Sequence, residues 1–572
     1  MRNIERTRTI LFFILIAAFV VRLTGVNFGL PFLYHNDEPI IVNYALAYGA
    51  GDLNPHFFKI PPFLSYILFF LYGVFYLLGR VTGLFGGVND FGYFFLNDVS
   101  VFYLIGRIAS GVVLGTASVY LMYVLGKRVF SRPAGLIAAL FLAFNFLHVR
   151  DSHYIYLDVP LVFFTTLYFI VLGTLYKKDR PRDYMISGFV MALAVSMKYN
   201  GILMAVPTVL IMARALIRAR KEIPVLLKKY GLYISFFVLG LFLTNPFMFL
   251  DWKFFFARTA NMPFTGSDPW YHIRISLLGS CGIYMCIAAV IGMITAFIKK
   301  KDIFTVSLVC FTAAYYFILT RASQPAERYI FPILPIVLLF SAYLVTVLSD
   351  LTSDRRIKTT VLVFCCLLFM VPSGLRIYHS ERLFLAEDTR TQCYDWITKN
   401  IAYGSAIALD ATGPVFPRLK QTKELVEESF SNFNNPKFAT PEGSMSYKVK
   451  LLLSNPDYPE DTYRILYLRK KISRKNRFLG LYPESLLDMD ELRRQGIEYV
   501  VAHNILLSSY YKDFLEQLEE GSVLVKEFSP YKPGRGRIKP LEESSLAAAP
   551  FSFRELSDRE RPGPVLRIYR LR

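Results

Sequence analysis

ILFFILIAAFVVRLTGVNFGLPFLYHNDEPIIVNYALAYGAGD, residues 10–52, is an apolar run followed by two adjacent carboxylates, Asp37 and Glu38. A run of this kind is long enough to cross the core of a bilayer, which takes about 18–25 residues. Charges placed at the edge of hydrocarbon are expensive and tend to be functional. The same letters also fit a helix cap, with Asn36 or Asp37 closing the start of a helix that has Pro39 in its first turn. The stretch alone does not choose between cap and site, so the choice falls to the rest of the chain.

The 572 residues are 54% hydrophobic, 16% aromatic and 19% charged. Apolar runs of about 18–25 residues recur from Ile10 to Arg376, and beyond residue 380 charge density becomes ordinary and apolar runs become short. A polytopic membrane domain, 1–379, with a first outer loop at 28–99, is therefore expected to precede a soluble domain at 380–572. The first run continues into a polar loop without a small-residue cleavage pattern, so it reads as a span that stays. The formal charge of +20, from 64 basic and 44 acidic residues, sits in short loops between spans. That placement fits the positive-inside rule and attraction to anionic lipid better than nucleic-acid binding, and no nucleic-acid partner is expected. Of six cysteines, only Cys393 lies beyond the apolar segments, and neither a disulfide framework nor a CxxC motif is present.

Basic clusters orient the chain. Arg2, Arg6 and Arg8 place the N-terminus inside. The loops with Lys127 and Arg128, Lys177 and Lys178, Arg214 to Lys229, Lys299 to Lys301, and Arg355 to Lys358 follow on the same side. Two consecutive inside loops are separated by an even number of crossings. Three runs precede Lys127, at about 10–27, 62–79 and 100–126. The middle one, opened by Pro61 and Pro62, is therefore expected to lie at or dip into the outer surface. Onward spans near 133–148, 158–176, 185–200, 202–217, 231–249, 276–298, 303–320, 329–348 and 359–377 bring the total to about eleven and leave the C-terminal domain outside.

With this topology, unrelated outer segments converge. The first loop holds Asp37, Glu38, Asp52, His56 and Lys59, and "LHVRDSHYIYLDVP" brings Arg150, Asp151, His153 and Asp158. "SMKYNG" brings Lys198, the loop at 250–275 carries "DWKFFFARTANMPFTGSDPWYH", and "TRASQPAERYIFPILP" brings Arg321, Glu327 and Arg328. Independent scatter of membrane-edge charges would not favour one face, and this turns the reading of Asp37 from cap to site. Each residue also has a plainer account. Lys198 and Arg328 fit as cations snorkelling to headgroups, His153 as a hydrogen-bonded structural residue, and Asp158, ahead of Pro160, as a helix cap. No HxxxH or DxD spacing points to a metal. No cofactor is expected, and a divalent cation is left open.

The chemistry that fits is group transfer from a lipid phosphate. A carboxylate at the water boundary takes a proton from an incoming hydroxyl, and Arg and Lys hold the departing phosphate through charge-assisted hydrogen bonds. Phosphate needs no general acid to leave, so one base and a cationic clamp suffice for a single inverting displacement.

The DE pair with "A…GAGDLNP…PP" resembles the first outer loop of the glycosyltransferase C superfamily, nearest to its protein O-mannosyltransferase-like members (glycosyltransferase family 39) and the aminoarabinose transferases of lipid A. "VRDSHYIYLDVPLVFF", "ALAVSMKYNGIL" and "ERYIFPILP" resemble the second outer loop, the Lys-containing segment and the late RY…P segment of those proteins. "YDWITKNIAYGSAIALD", "GIEYVVAHN" and "PGPVLRIYRLR" resemble the outer domain of many prokaryotic members. The resemblance implies a polytopic α-helical enzyme with a C-terminal extracytoplasmic α/β domain, set in a prokaryotic inner membrane. Its donor would be a polyprenyl-phosphate-linked sugar and its acceptor a lipid, glycan or protein. It implies Asp37 as catalytic base with Glu38 as its neighbour, Lys198, Arg328 and Arg321 at the donor phosphate, and Arg150, Asp151, His153 and Asp158 lining the cavity. No WWD-type motif is present, and the only tryptophans are Trp252, Trp270 and Trp396, which argues against an oligosaccharyltransferase subunit.

Beyond residue 380, "CYDWITKNI" and "LDMDELRRQGI" have helical spacing, while "SAIALD", "EYVVAH", "SVLVKEF" and "VLRIYRL" read as strands of an α/β domain. The stretch 529–552 reads as a long Pro-, Gly- and Ser-rich loop. Two other function classes compete. A transporter or flippase of lipid-linked sugars predicts mid-span charges and inverted repeats, and neither is seen. A non-catalytic envelope scaffold is separated from an enzyme only by the consequence of changing Asp37.

Overall fold

The computed structural model describes residues 2–35, 37–218, 223–259, 268–321, 325–410, 416–433, 449, 451–468, 487–503, 507, 511–535 and 552–572. Asn36, Arg220, Lys221, the middle of the 250–275 loop and most of the 529–552 loop lie outside the described residues. The chain forms two compact units. The first comprises Met1–Val26, Tyr48–Phe70 and Ile105–Tyr378, and the second comprises Asn27–Ala47, Leu71–Leu104 and His379–Arg572.

Seven described helices are long and apolar enough to cross a membrane: Phe63–Thr82, Ser100–Val129, Asp158–Lys178, Tyr199–Arg218, Ile223–Thr244, His272–Lys300 and the one beginning at Arg355. Arg132–Ala143, Ile303–Leu319 and Leu334–Ser349 are shorter apolar helices. Phe63–Thr82, which charge parity assigns to the outer surface, has the length and apolarity of a span.

In the first unit, helix starts follow local chemistry. Ser131 accepts from the Ala134 amide ahead of Arg132–Ala143, and Asp302 accepts from Thr305 ahead of Ile303–Leu319. In lipid, helices associate through close fit rather than hydrophobic drive, so small residues mark the crossings. A Cβ on Gly188 would lie 2.1 Å from the Tyr233 carbonyl, and one on Gly292 would lie 2.1 Å from that of Phe340. Leu334–Ser349 is buried along almost its whole length and forms the centre of this unit.

In the second unit, Phe75, Phe85, Phe91, Phe94 and Phe102 form one aromatic cluster. The helix Thr389–Asn400 leads into a sheet with six strands among the described residues: β1 Ala406–Asp410, β2 Lys420–Gln421, β3 Thr462–Leu468, β4 Tyr499–His503, β5 Ser522–Phe528 and β6 Leu566–Leu571. The order is β2-β3-β1-β4-β6-β5. The first four strands are parallel, whereas β6 runs antiparallel to both β4 and β5. Alternate residues serve opposite faces. Ala408, Leu466 and Val500 join Leu492, Phe514 and Leu518 on one side, while Ile407, Ile465 and Val501 join Cys393 and Ile397 on the other. A parallel sheet covered on both faces favours strands that read as nearly unbroken apolar runs, as "AIAL" and "YVVA" do.

Candidate functional site

In the first unit, four interruptions of helix bring the charged residues together. Arg150 and Asp151 end the short helix Phe146–Asp151, whose start is fixed by the Asn145 side chain accepting from the His148 amide. Asp158 is the first residue of Asp158–Lys178. Lys198 sits in extended backbone between Pro181–Met197 and the 3-10 turn Tyr199–Met204. Arg328 lies in the turn Glu327–Ile330, just ahead of Leu334–Ser349 and its Pro335. Groups at such breaks point where a continuous helix would not aim them.

Asp158 is the hub. Its Oδ1 accepts from Lys198 Nζ at 2.7 Å, and its Oδ2 lies 3.4 Å from Arg328 Nε, with the carboxylate side chain only 2% exposed. Lys198 Nζ stands 4.7 Å from the centre of the Tyr329 ring, and the Arg328 guanidinium 4.5 Å from that of Tyr156. Aromatic faces stabilise a cation without neutralising it. The turn that carries Arg328 is itself tied down: Tyr315 donates its hydroxyl to the Tyr329 carbonyl at 3.1 Å and accepts from Asn200 Nδ2 at 2.5 Å.

Beside this hub, Arg150 bridges two carboxylates, with Nε 2.8 Å from Asp151 Oδ1 and Nη1 2.7 Å from Glu327 Oε2. Burial raises both carboxyls above their ordinary values of 3.8 and 4.5, against the pull of Arg150. The physical reason is that one guanidinium cannot fully compensate two buried negative charges. Arg376, which donates to the Gly279 carbonyl, supplies a further positive field at Glu327.

The other expected residues are placed differently. His153 is fully buried. Its Nδ1 faces the Val149 carbonyl at 3.0 Å and its Nε2 the Thr24 carbonyl at 2.7 Å, so the ring holds backbone. Arg321 is exposed, stacks over Phe317 and shares in none of the cluster's ion pairs among the described residues. Asp37 and Glu38 belong to the second unit. Asp37 is half-buried and immediately precedes the helix Glu38–Ala47, which Glu38 opens from a buried position. The Asp37 amide donates to His35 Nδ1 at 3.2 Å. Among the described residues, no three His, Cys, Asp or Glu side chains converge as metal ligands.

Residues 104–249 match the sequence profile of the family described as dolichyl-phosphate-mannose-protein mannosyltransferase. That segment contains Arg150, Asp151, His153, Asp158 and Lys198, while Asp37, Glu38, Arg321 and Arg328 fall outside it. No curated protein matches the chain by sequence. Among solved structures, ArnT from Cupriavidus metallidurans bound to undecaprenyl phosphate superposes with a TM-score of 0.52 at 10% identity. The match covers 90% of this chain and 96% of ArnT. The same protein in the apo state gives 0.50 at 9% identity, covering 92% and 97%.

The chain shares its fold with ArnT. Within that fold, several residues of consequence escaped the sequence reading. Glu327 was visible in the loop but carried no role until its contact with Arg150 appeared. Arg22 and Arg107 sit inside apolar runs, and both are fully buried in the first unit. Arg22 donates to the Leu142 and Ala143 carbonyls at the end of Arg132–Ala143 and to His148 Nδ1, and Arg107 donates to the Val26 carbonyl. A charge within an apolar run was the available signal.

Proposed function

We propose that this chain is a membrane glycosyltransferase that moves a sugar from a polyprenyl-phosphate donor to an acceptor hydroxyl on the outer face, with inversion. The observation that carries the reading is the pair of cations gathered on one buried carboxylate: Lys198 and Arg328 both meet Asp158, and each rests on an aromatic ring. Two cations converging at breaks in their helices suit a phosphate held through charge-assisted bonds. The shared fold with ArnT, solved with undecaprenyl phosphate bound, and the mannosyltransferase profile over 104–249 support the same reading.

In the reaction, Asp37 takes the proton from the acceptor hydroxyl as its oxygen forms a bond to the sugar's anomeric carbon. The bond from that carbon to the phosphate oxygen breaks, and the polyprenyl phosphate departs with its electron pair, stabilised by Lys198 and Arg328. Glu38 opens the helix behind Asp37 and helps to hold it. Asp151 and Arg150 line the cavity. Arg321, exposed as it is, contributes at most to attracting the anionic donor.

Asp37→Asn tests the base. Asparagine caps a helix nearly as well as aspartate but cannot accept the proton. The variant is expected to fold and to bind donor, with transfer reduced by at least about a hundredfold. Near-normal turnover would return Asp37 to a capping role and move the search for a base to Asp151 or Glu38. A flippase or scaffold would show no transfer in the parent protein either.

A further inference from the structure

The residues that lead into Asp37 are fastened at several points to the segment that opens the C-terminal part of the second unit. Phe28 meets Phe384 edge-on with ring centres 5.0 Å apart, and Phe32 lies 4.7 Å from Tyr394. The Tyr34 hydroxyl is 2.9 Å from Thr391 Oγ1, and the Arg390 guanidinium lies 3.7 Å over the Tyr34 ring. Arg390 is 1% exposed and holds Asp388 by two parallel bonds, Nε to Oδ1 at 2.8 Å and Nη2 to Oδ2 at 2.6 Å. Leu33, between the anchored Phe32 and Tyr34, has φ of 58°. A leucine persists in that left-handed region only where its surroundings over-determine it.

The clamp is held in turn from the far end of the chain. The Thr389 amide donates to the Pro562 carbonyl at 3.0 Å, and its hydroxyl to the Pro564 carbonyl at 2.7 Å. Gly563, with φ of 101°, has no room for a side chain: a Cβ there would lie 2.1 Å from Thr389 Oγ1 and 2.5 Å from Asp388 Oδ1. The next residues enter β6. A continuous set of contacts therefore runs from the last strand through Asp388, Thr389 and Arg390 to Tyr34, three residues before Asp37.

We propose that Arg390 and Tyr34 are positioning residues, which hold the first outer loop so that Asp37 meets the acceptor hydroxyl, and that the C-terminal α/β domain exerts its effect on transfer through them. The proposal rests on Asp37 being the base. Lys198 and Arg328 belong to the first unit and the clamp to the second, so loosening the clamp is expected to lower turnover and leave donor binding alone. A catalytic group displaced by about 1 Å can lose up to a hundredfold in rate.

The test uses the full chain in lipid nanodiscs with Tyr34→Leu, Tyr34→Phe and Gly563→Ala. All three keep both Arg390 and Asp388; the two Tyr34 variants leave that pair untouched, whereas Gly563→Ala presses on Asp388 Oδ1. Amide exchange over residues 32–40 is read alongside turnover of undecaprenyl-phosphate mannose, or of whichever undecaprenyl-phosphate sugar in a panel the parent uses fastest. Tyr34→Leu is expected to speed exchange in 35–40 at least tenfold and to lower kcat by roughly 10- to 100-fold, with donor KM changed less than about threefold. Tyr34→Phe, which keeps the ring beneath Arg390, should stay within about threefold of the parent in every readout. Gly563→Ala should reproduce the Tyr34→Leu pattern from the opposite end of the clamp. Unchanged exchange and kcat in a folded Tyr34→Leu, or a loss confined to donor KM, would overturn the proposal. If Asp37→Asn turns over normally, the base assignment fails. If Asp37→Asn is inactive while Tyr34→Leu is normal, the clamp alone fails.

Discussion

Replacing Asp158 with asparagine should make the protein less stable when empty and more strongly stabilised by its donor. At an effective dielectric of about 20, unit charges 2.7 and 3.4 Å apart attract by roughly 5–6 kcal/mol each before desolvation is counted. Removing one member of a buried ion pair costs about 3–5 kcal/mol, because the charge left behind keeps its desolvation penalty. Lys198 and Arg328 retain 19% and 18% of their side-chain exposure and rest on aromatic rings, so the lower end, about 3 kcal/mol, is expected. A phosphate would supply the missing negative charge without having to compete with a carboxylate. One charge-assisted bond regained is worth about 1.5–3 kcal/mol, or roughly ten- to a hundredfold in affinity. The assay is thermal unfolding of both proteins at one scan rate, over a titration of undecaprenyl phosphate, where bound ligand raises stability in proportion to log concentration above Kd. The ligand-free Tm should fall on substitution, and the half-saturating lipid concentration should fall as well. A variant that loses stability but gains no affinity would refute the assignment of these two cations to the phosphate.

Lys198→Ala and Arg328→Ala should each weaken donor binding by roughly ten- to a hundredfold, the equivalent of one charge-assisted contact of about 1.5–3 kcal/mol; unchanged binding in both, measured by lipid titration, would favour simple snorkelling. Burial raises the folded-state carboxyls of Asp151 and Glu327 above 3.8 and 4.5, so the folded protein binds more protons than the unfolded chain in the window above those values. Stability is therefore expected to fall as pH rises from the ordinary values of 3.8 and 4.5 through the raised ones. Glu327→Gln, which fixes the neutral form, should flatten that dependence in unfolding curves taken from about pH 4 upward. A cysteine placed at Asp90 should react with a membrane-impermeant maleimide from the outer side; labelling only from the cytoplasmic side would overturn the topology drawn from the basic loops.

Much of the fold was legible because hydropathy and short-range pattern carry it. Apolar runs near 158–176 and 303–320 are the helices Asp158–Lys178 and Ile303–Leu319, and "SAIALD" and "EYVVAH" contain β1 and β4. The strand β3 escaped notice, as did the insertion of β6 between β4 and β5, since sheet order is set by long-range pairing. Phe63–Thr82 shows where two rules disagree, one counting charges across the bilayer and the other counting apolar length. At the site, the residue types were visible and the partnerships were not. Asp158 fitted both a cap, because Pro160 follows it, and a cavity wall, and its carboxylate lies between Lys198 and Arg328. His153 fitted both a structural residue and a cavity wall, and its nitrogens face the carbonyls of Val149 and Thr24. A single sequence specifies where helices break but not which breaks meet.

The position of β6 has a bearing on how the protein is made. It follows the other five described strands in the chain and is an interior one, with Tyr569 opposite Val500 of β4 and opposite Leu524 of β5, so this sheet cannot close until residues 566–571 leave the ribosome. The lead-in to Asp37 is translated well before Pro562 and Pro564, which secure its anchor. Roughly 530 residues separate the two, a wait of about half a minute to two minutes at 5–20 residues per second. The seven span-length helices among the described residues all precede Pro562 in the chain, so they are made before the loop that carries Asp37 can be fixed. A stalled or prematurely ended chain would thus hold its cations around Asp158 while the carboxylate of Asp37 stays unsecured.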